Sequence, residues 1–147
     1  MSVCLRAVFA AFLLLPLALA PAHAMERHKL ALQISDSDPA RMNAVLNVAA
    51  NVSKYYSDKG DEVDIEIVAF NGGLNMLRSD KSPVLQRLKS FQEGMANVSF
   101  MACENTLEAM TRAEGKEPPL VDNATRVPAG VVTLIELAEK GWTIVRP

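Results

Sequence analysis

The chain has 147 residues, half of them apolar, and carries 15 basic against 17 acidic side chains for a net charge of −2. It has no basic stripe, which argues against nucleic acid as a partner. Two cysteines and two histidines are too few for a metal site built from several thiolate and imidazole ligands.

Residues 1–24 hold one charge, Arg6, then an apolar run from Ala7 to Ala20, then Ala22-His23-Ala24, the small-x-small pattern of a cleavage site. The expectation is a secretory signal peptide cut after Ala24. Its apolar core is short for a membrane span of about 20 residues, and Cys4 precedes that core, so it does not read as a lipid-attachment cysteine. Cleavage places residues 25–147, a single domain large enough to bury a core, in the periplasm or outside the cell, with no stable membrane span. It also removes Cys4 and His23, leaving Cys103 as the lone thiol and His28 as the lone histidine. No disulfide can then form within one chain, although the destination is oxidising. A Cys-His catalytic pair would need His28, a poor candidate at the start of the first predicted strand.

From Lys29, "KLALQIS" reads as a strand. Asp38 before Pro39 marks a helix start, because the carboxylate accepts from free N–H groups and proline is tolerated at the first helical position. Met42, Val45, Leu46, Ala49 and Val52 then recur at helical spacing up to a stop at Gly60. The second strand, "EVDIEIVAF", alternates acidic and apolar residues, as a strand does when one face is less buried or when its charges cluster near its start. "NGG", Asn71 to Gly73, follows, then a short helix in "GLNMLRSD". A clearer helix in "SPVLQRLKSFQEG" has Ser82 as cap, Pro83 at its first position and Gly94 as its stop.

The third strand, "VSFMA", runs into Cys103. "ENTLEAMTRAEG" is a helix ending at Gly115, "TRVPAG" holds a brief fourth strand, "VVTLIELAEKG" is the last helix and "WTIVRP" a fifth strand. Strands alternating with helices imply parallel pairing through right-handed crossovers, hence a three-layer α/β/α sandwich around a mainly parallel five-stranded sheet.

In such a sheet ligands gather outside the carboxyl ends of the strands. The loops there are Ser35 to Asp38, Asn71 to Gly73, Cys103 to Thr106 and Pro128 to Gly130. Cys103 sits where a strand ends and a helix begins, where free N–H groups and the helix dipole favour a thiolate. Glu104 works against this as an adjacent negative charge. The residue type alone leaves two readings open, a reactive thiol and a small buried hydrophobe. The glycines of "NGG" allow close approach to an anion or substrate, and equally make a tight turn; no dinucleotide or P-loop spacing occurs. Asp36 and Asp38 could form an acid/base pair, but capping accounts for Asp38. Asn105 and Thr106 could cap the helix after Cys103.

Four stretches, "DPARMNAVLNVAANVSKYY", "VDIEIVAFNGGLNML", "VSFMACENTLEAM" and "VPAGVVTLIELAEKGWTIVRP", together resemble the DsrE/DsrF-like (DsrEFH-like) family of small sulfur-handling proteins. The resemblance covers nearly all of residues 25–147. It implies the DsrEFH-like α/β/α fold, assembly into homo-trimers or hexamers, and a persulfide-carrying cysteine that maps onto Cys103. No bound cofactor and no metal is implied. The substrate-binding candidates around the cysteine are Asn71, Gly72, Gly73, Glu104, Asn105 and Thr106, and a sulfur donor or acceptor protein would be a further partner. The competing expectation is a non-catalytic module of the same fold that binds a small ligand or assembles with copies of itself.

Overall fold

A computed structural model describes residues 25–147; the predicted signal peptide, residues 1–24, lies outside the described residues. The elements in chain order are β1 (Arg27–Ile34), α1 (Pro39–Lys59), β2 (Glu62–Ala69), a 3-10 helix (Asn71–Leu77), α2 (Leu85–Gly94), β3 (Val98–Cys103), α3 (Glu104–Glu114), β4 (Ala124–Val127), α4 (Gly130–Glu139) and β5 (Thr143–Val145). Every ladder is parallel and the strand order is β4-β3-β2-β1-β5. This is the expected α/β/α sandwich with a five-stranded sheet.

Local chemistry accounts for most boundaries. The Asp38 carboxylate accepts from the Ala40 N–H at 2.8 Å with Pro39 opening α1, and α1 and α3 stop at Gly60 and Gly115, both left-handed. Three expectations shift. Ser82 does not cap α2, because its hydroxyl donates to the Met76 carbonyl and accepts from the Val84 N–H, bracing the preceding turn, so the helix starts at Leu85. Gly94 is the last helical residue and Met95 takes the C-cap. The short helix anticipated after "NGG" is a 3-10 helix that includes those three residues.

The strand order determines which helices share a face. Chain travel from β1 through β4 runs steadily toward one edge, so α1, α2 and α3 lie on one side of the sheet. Met42, Leu46, Leu88, Phe91 and Leu107 from these helices pack there against Leu32, Ile65, Ile67 and Phe100. Each such side chain contributes roughly 1.5–3 kcal/mol by leaving water. From β4 the chain crosses the whole sheet to reach β5 beside β1, and α4 makes that crossing on the other side. There Leu134 and Leu137 cover Ala31, Val68, Phe70 and Cys103.

One ten-residue helix cannot cover five strands. The amino-terminal half of that second face is accordingly charged, with Arg27 paired to Glu62 and Asp64 across the β1–β2 ladder. This explains the acidic alternation of β2: Asp64 and Glu66 lie on the half without a helix, and the strand turns apolar at Val68, under α4.

Candidate functional site

In an open parallel sheet a crevice forms where the connections leaving two neighbouring strands turn to opposite faces. Here β3 leads into α3 on the first face and its neighbour β4 leads into α4 on the second, so the crevice lies beyond the carboxyl ends of β3 and β4. A cleft of about 280 Å³ occupies that place, lined by Phe70, Asn71, Cys103, Asn105, Thr106, Ala129, Gly130 and Val131. The Asn105 N–H donates to the Pro128 carbonyl across it, joining the starts of α3 and α4.

Cys103 ends β3 and stands at the N-cap position of α3. It is only 5% exposed, packed among Phe70, Leu134 and Leu137, yet it forms part of the cleft wall. Burial pushes the thiol pKa up. It is outweighed by the Thr106 side chain and by the N–H groups of Gly130, Thr106 and Asn105, so the pKa lies below the usual thiol value. The cysteine makes no side-chain cap hydrogen bond; the surrounding donors favour the thiolate as oriented dipoles poised to close on a negative charge.

Thr106 is the most instructive of these neighbours. It is buried, and its hydroxyl oxygen accepts from the Asn71 N–H at 2.9 Å. With that lone pair engaged, the hydroxyl proton is available to the sulfur. Asn71 is aimed for this by a left-handed backbone, φ 48°, a conformation asparagine tolerates better than most residues. Thr106→Val is therefore expected to slow alkylation of Cys103 by iodoacetamide several-fold at neutral pH while leaving the plateau rate at alkaline pH unchanged. A rate profile against pH checks this, and an unaltered profile would show that the hydroxyl has no hold on the thiol.

Of the residues singled out by sequence, Cys103, Asn71, Asn105 and Thr106 come together at the cleft. Gly72, Gly73 and Glu104 do not line it. A Cβ on Gly73 would stand 2.2 Å from the Ile34 carbonyl oxygen, and one on Gly72 3.0 Å from the Ser37 nitrogen, so both glycines admit the protein's own backbone. Glu104 lies 3.8 Å from Arg126, which also pairs with Glu117. The acid adjacent to the thiol in sequence thus pairs with a cation beyond it, while the leading influences on Cys103 are its burial and the groups of Thr106, Gly130 and Asn105.

Asp38 is a cap and Asp36 pairs with Arg146 at 3.3 Å, which separates the possible acid/base pair. His28 stacks on Tyr56 at 3.9 Å at the amino end of β1, the opposite end of the sheet from Cys103. Ala129 and Gly130 belong to a loop that sequence placed at the carboxyl ends of the strands, and the strand order, which brings β4 beside β3, sets it against Cys103; Phe70, at the end of β2, and Val131 are added by the structure. Among the described residues there is no cluster of three or more metal-ligating side chains, and no helix is long and apolar enough to cross a membrane.

No protein-family model and no curated protein matches the chain. Among solved structures it is similar to MTH1491, a protein of unknown function from Methanobacterium thermoautotrophicum, with a TM-score of 0.65 and 27% sequence identity over 83% of this chain and 99% of that one.

Proposed function

We propose that this chain is an exported, DsrE-like sulfur carrier that holds sulfane sulfur as a persulfide on Cys103. The observation that carries the reading is the placement of the thiol: it stands on the wall of the switch-point cleft with the Thr106 hydroxyl and three backbone N–H groups around the sulfur. Such an environment stabilises a thiolate, and equally the anionic persulfide that replaces it.

The chemistry balances without an external oxidant. With thiosulfate as donor, the Cys103 thiolate attacks the outer sulfur, a new S–S bond forms, and the bond to the sulfonate group breaks. Sulfite leaves with the electron pair. An acceptor thiolate then attacks the terminal sulfur and Cys103 departs as thiolate, ready for another cycle. The low exposure of Cys103 favours a slender donor such as thiosulfate or a polysulfide end.

The test is mass spectrometry of the purified protein after exposure to thiosulfate or polysulfide. Sulfur is expected to add to Cys103, and Cys103→Ser is expected to abolish the adduct with the fold intact. If no sulfur adds to the protein while a control carrier is sulfurated normally, the carrier reading fails. The alternative, a homo-oligomeric assembly module, would then stand, favoured by Val131, Val132 and Ile135, large apolar side chains of α4 that are each more than half exposed.

A further inference from the structure

A groove of about 660 Å³ lies at the other end of the sheet, along the free edge of β1. It exists because β5 is short. β1 pairs with β2 over its full length but with β5 only from Leu30 to Leu32, so among the described residues Arg27 to Lys29 have no strand on that side. The main-chain direction follows from two hydrogen bonds. Glu62 N–H donates to the Glu26 carbonyl and Phe70 N–H to the Ile34 carbonyl, so even positions of β1 point toward β2. By the alternation of a strand, the backbone groups of Arg27 and Lys29 face the groove.

The walls differ in character. On the α1 side stand Tyr55 and Tyr56, the rings edge to face at 5.2 Å, with His28 stacked on Tyr56. The floor is apolar: Leu30, Val52 and Val63. On the α4 side stand Lys29 and Lys140, neither of which forms an ion pair among the described residues. Among the described residues no carboxylate lines the groove. Arg27 is occupied by Glu62 and Asp64, His28 faces Asp61 at 3.9 Å, and Lys59 stands over the Tyr55 ring at 4.4 Å, so among the lining residues the two lysines are the cations without a carboxylate partner. Glu66 attracts Lys140 electrostatically but does not pair with it.

We propose that this groove binds a small organic anion with a planar apolar body, such as an aromatic carboxylate or sulfonate, its ring against the tyrosine wall and its charge toward Lys29 and Lys140. A volume of this size suits such a ligand, as do a mostly apolar lining and a few convergent polar groups. The backbone N–H groups on the unpaired edge supply further donors for the anionic end. The site is independent of Cys103 and of any sulfur chemistry there.

The probe is 2-naphthoate, titrated into the purified protein by calorimetry and by amide NMR, with the isosteric neutral naphthalene-2-carboxamide alongside. Saturable binding is expected, with shifts at Lys29, Tyr55 and Lys140 and none at Cys103. The carboxamide and the Lys29→Glu/Lys140→Glu variant should each bind about tenfold more weakly or worse. Both lysines are exposed, and an unchanged thermal midpoint verifies the variant's fold. Tyr55→Ala, an exposed change, gives a second variant with weaker binding. The proposal is overturned by absence of saturable binding, by equal affinity for the neutral amide, by indifference to the charge reversals, or by shifts centred on the Cys103 cleft.

Discussion

Gly73→Ala is expected to destabilise the protein by about 3 kcal/mol or more, the upper end of what overpacking costs. The added methyl group would meet the Ile34 carbonyl oxygen at 2.2 Å, its carbon at 2.5 Å and the Ser35 nitrogen at 2.9 Å. All three are backbone atoms, so no rotamer change relieves the clash. The Ile34 carbonyl also accepts the last hydrogen bond of the β1–β2 ladder, from Phe70, and the Gly73 N–H bonds back to the Phe70 carbonyl. Displacing Gly73 pulls on Phe70 and Asn71, both part of the cleft, so the variant should lose Cys103 reactivity together with stability. Gly94→Ala is the control: nothing lies within 4 Å of that Cβ, and alanine has the higher helix propensity. Urea denaturation of the two variants decides, and equal midpoints would refute the packing argument.

Replacing Arg78 is expected to be the other costly change. Its side chain is 3% exposed, and its guanidinium donates to both Asp80 oxygens and to Glu114, raising its pKa further above its ordinary value through those two carboxylates. The backbone participates as well. Arg78 bridges to Leu120, Ser79 N–H donates to the Pro119 carbonyl, and Val121 N–H donates to the Leu77 carbonyl. Arg78 therefore fastens the 3-10 helix to the loop after α3. Arg78→Met should cost about 2–3 kcal/mol, below the figure for a fully buried pair because both carboxylates reach solvent.

The pair also carries a pH signature. Arg78, then Lys81, holds the Glu114 carboxyl down at about 2 against an ordinary 4.5. A carboxylate whose pKa is depressed by folding stabilises the native state fully above its unfolded value, and that contribution fades as pH falls from about 4.5 toward 2. Acid unfolding should thus be less steep in that window for Glu114→Gln than for the wild type. Parallel acid titrations of the two would refute the pairing as a source of stability.

The order of elements was legible because its signals are local. Asp38-Pro39 opens a helix and Gly60 and Gly115 close two, whatever surrounds them. The sheet order carries no such signal: nothing near β4 announces that the next strand pairs at the far edge. Cys103 could therefore be placed at a strand end from sequence, whereas Phe70, Gly130 and Val131 could not be placed beside it. Glu104 shows a related limit. Neighbours in sequence turn apart where a strand passes into a helix, and the Glu104 carboxylate finds Arg126, a residue of β4. The glycines of "NGG" show a different limit, since a glycine that admits a ligand and one that admits the chain's own carbonyl look alike in sequence.

The long crossing from β4 to β5 also has a consequence for the timing of assembly. Leu30, in the first strand, receives its partner Thr143 only when nearly the whole chain is available, and contacts of such separation form late because loop closure precedes any gain from them. The cover over Ala31, Val68 and Cys103 comes from Leu134 and Leu137 of α4, the helix that leads into β5. Enclosure of the thiol is thus tied to the element whose strand pairing spans the greatest length of chain.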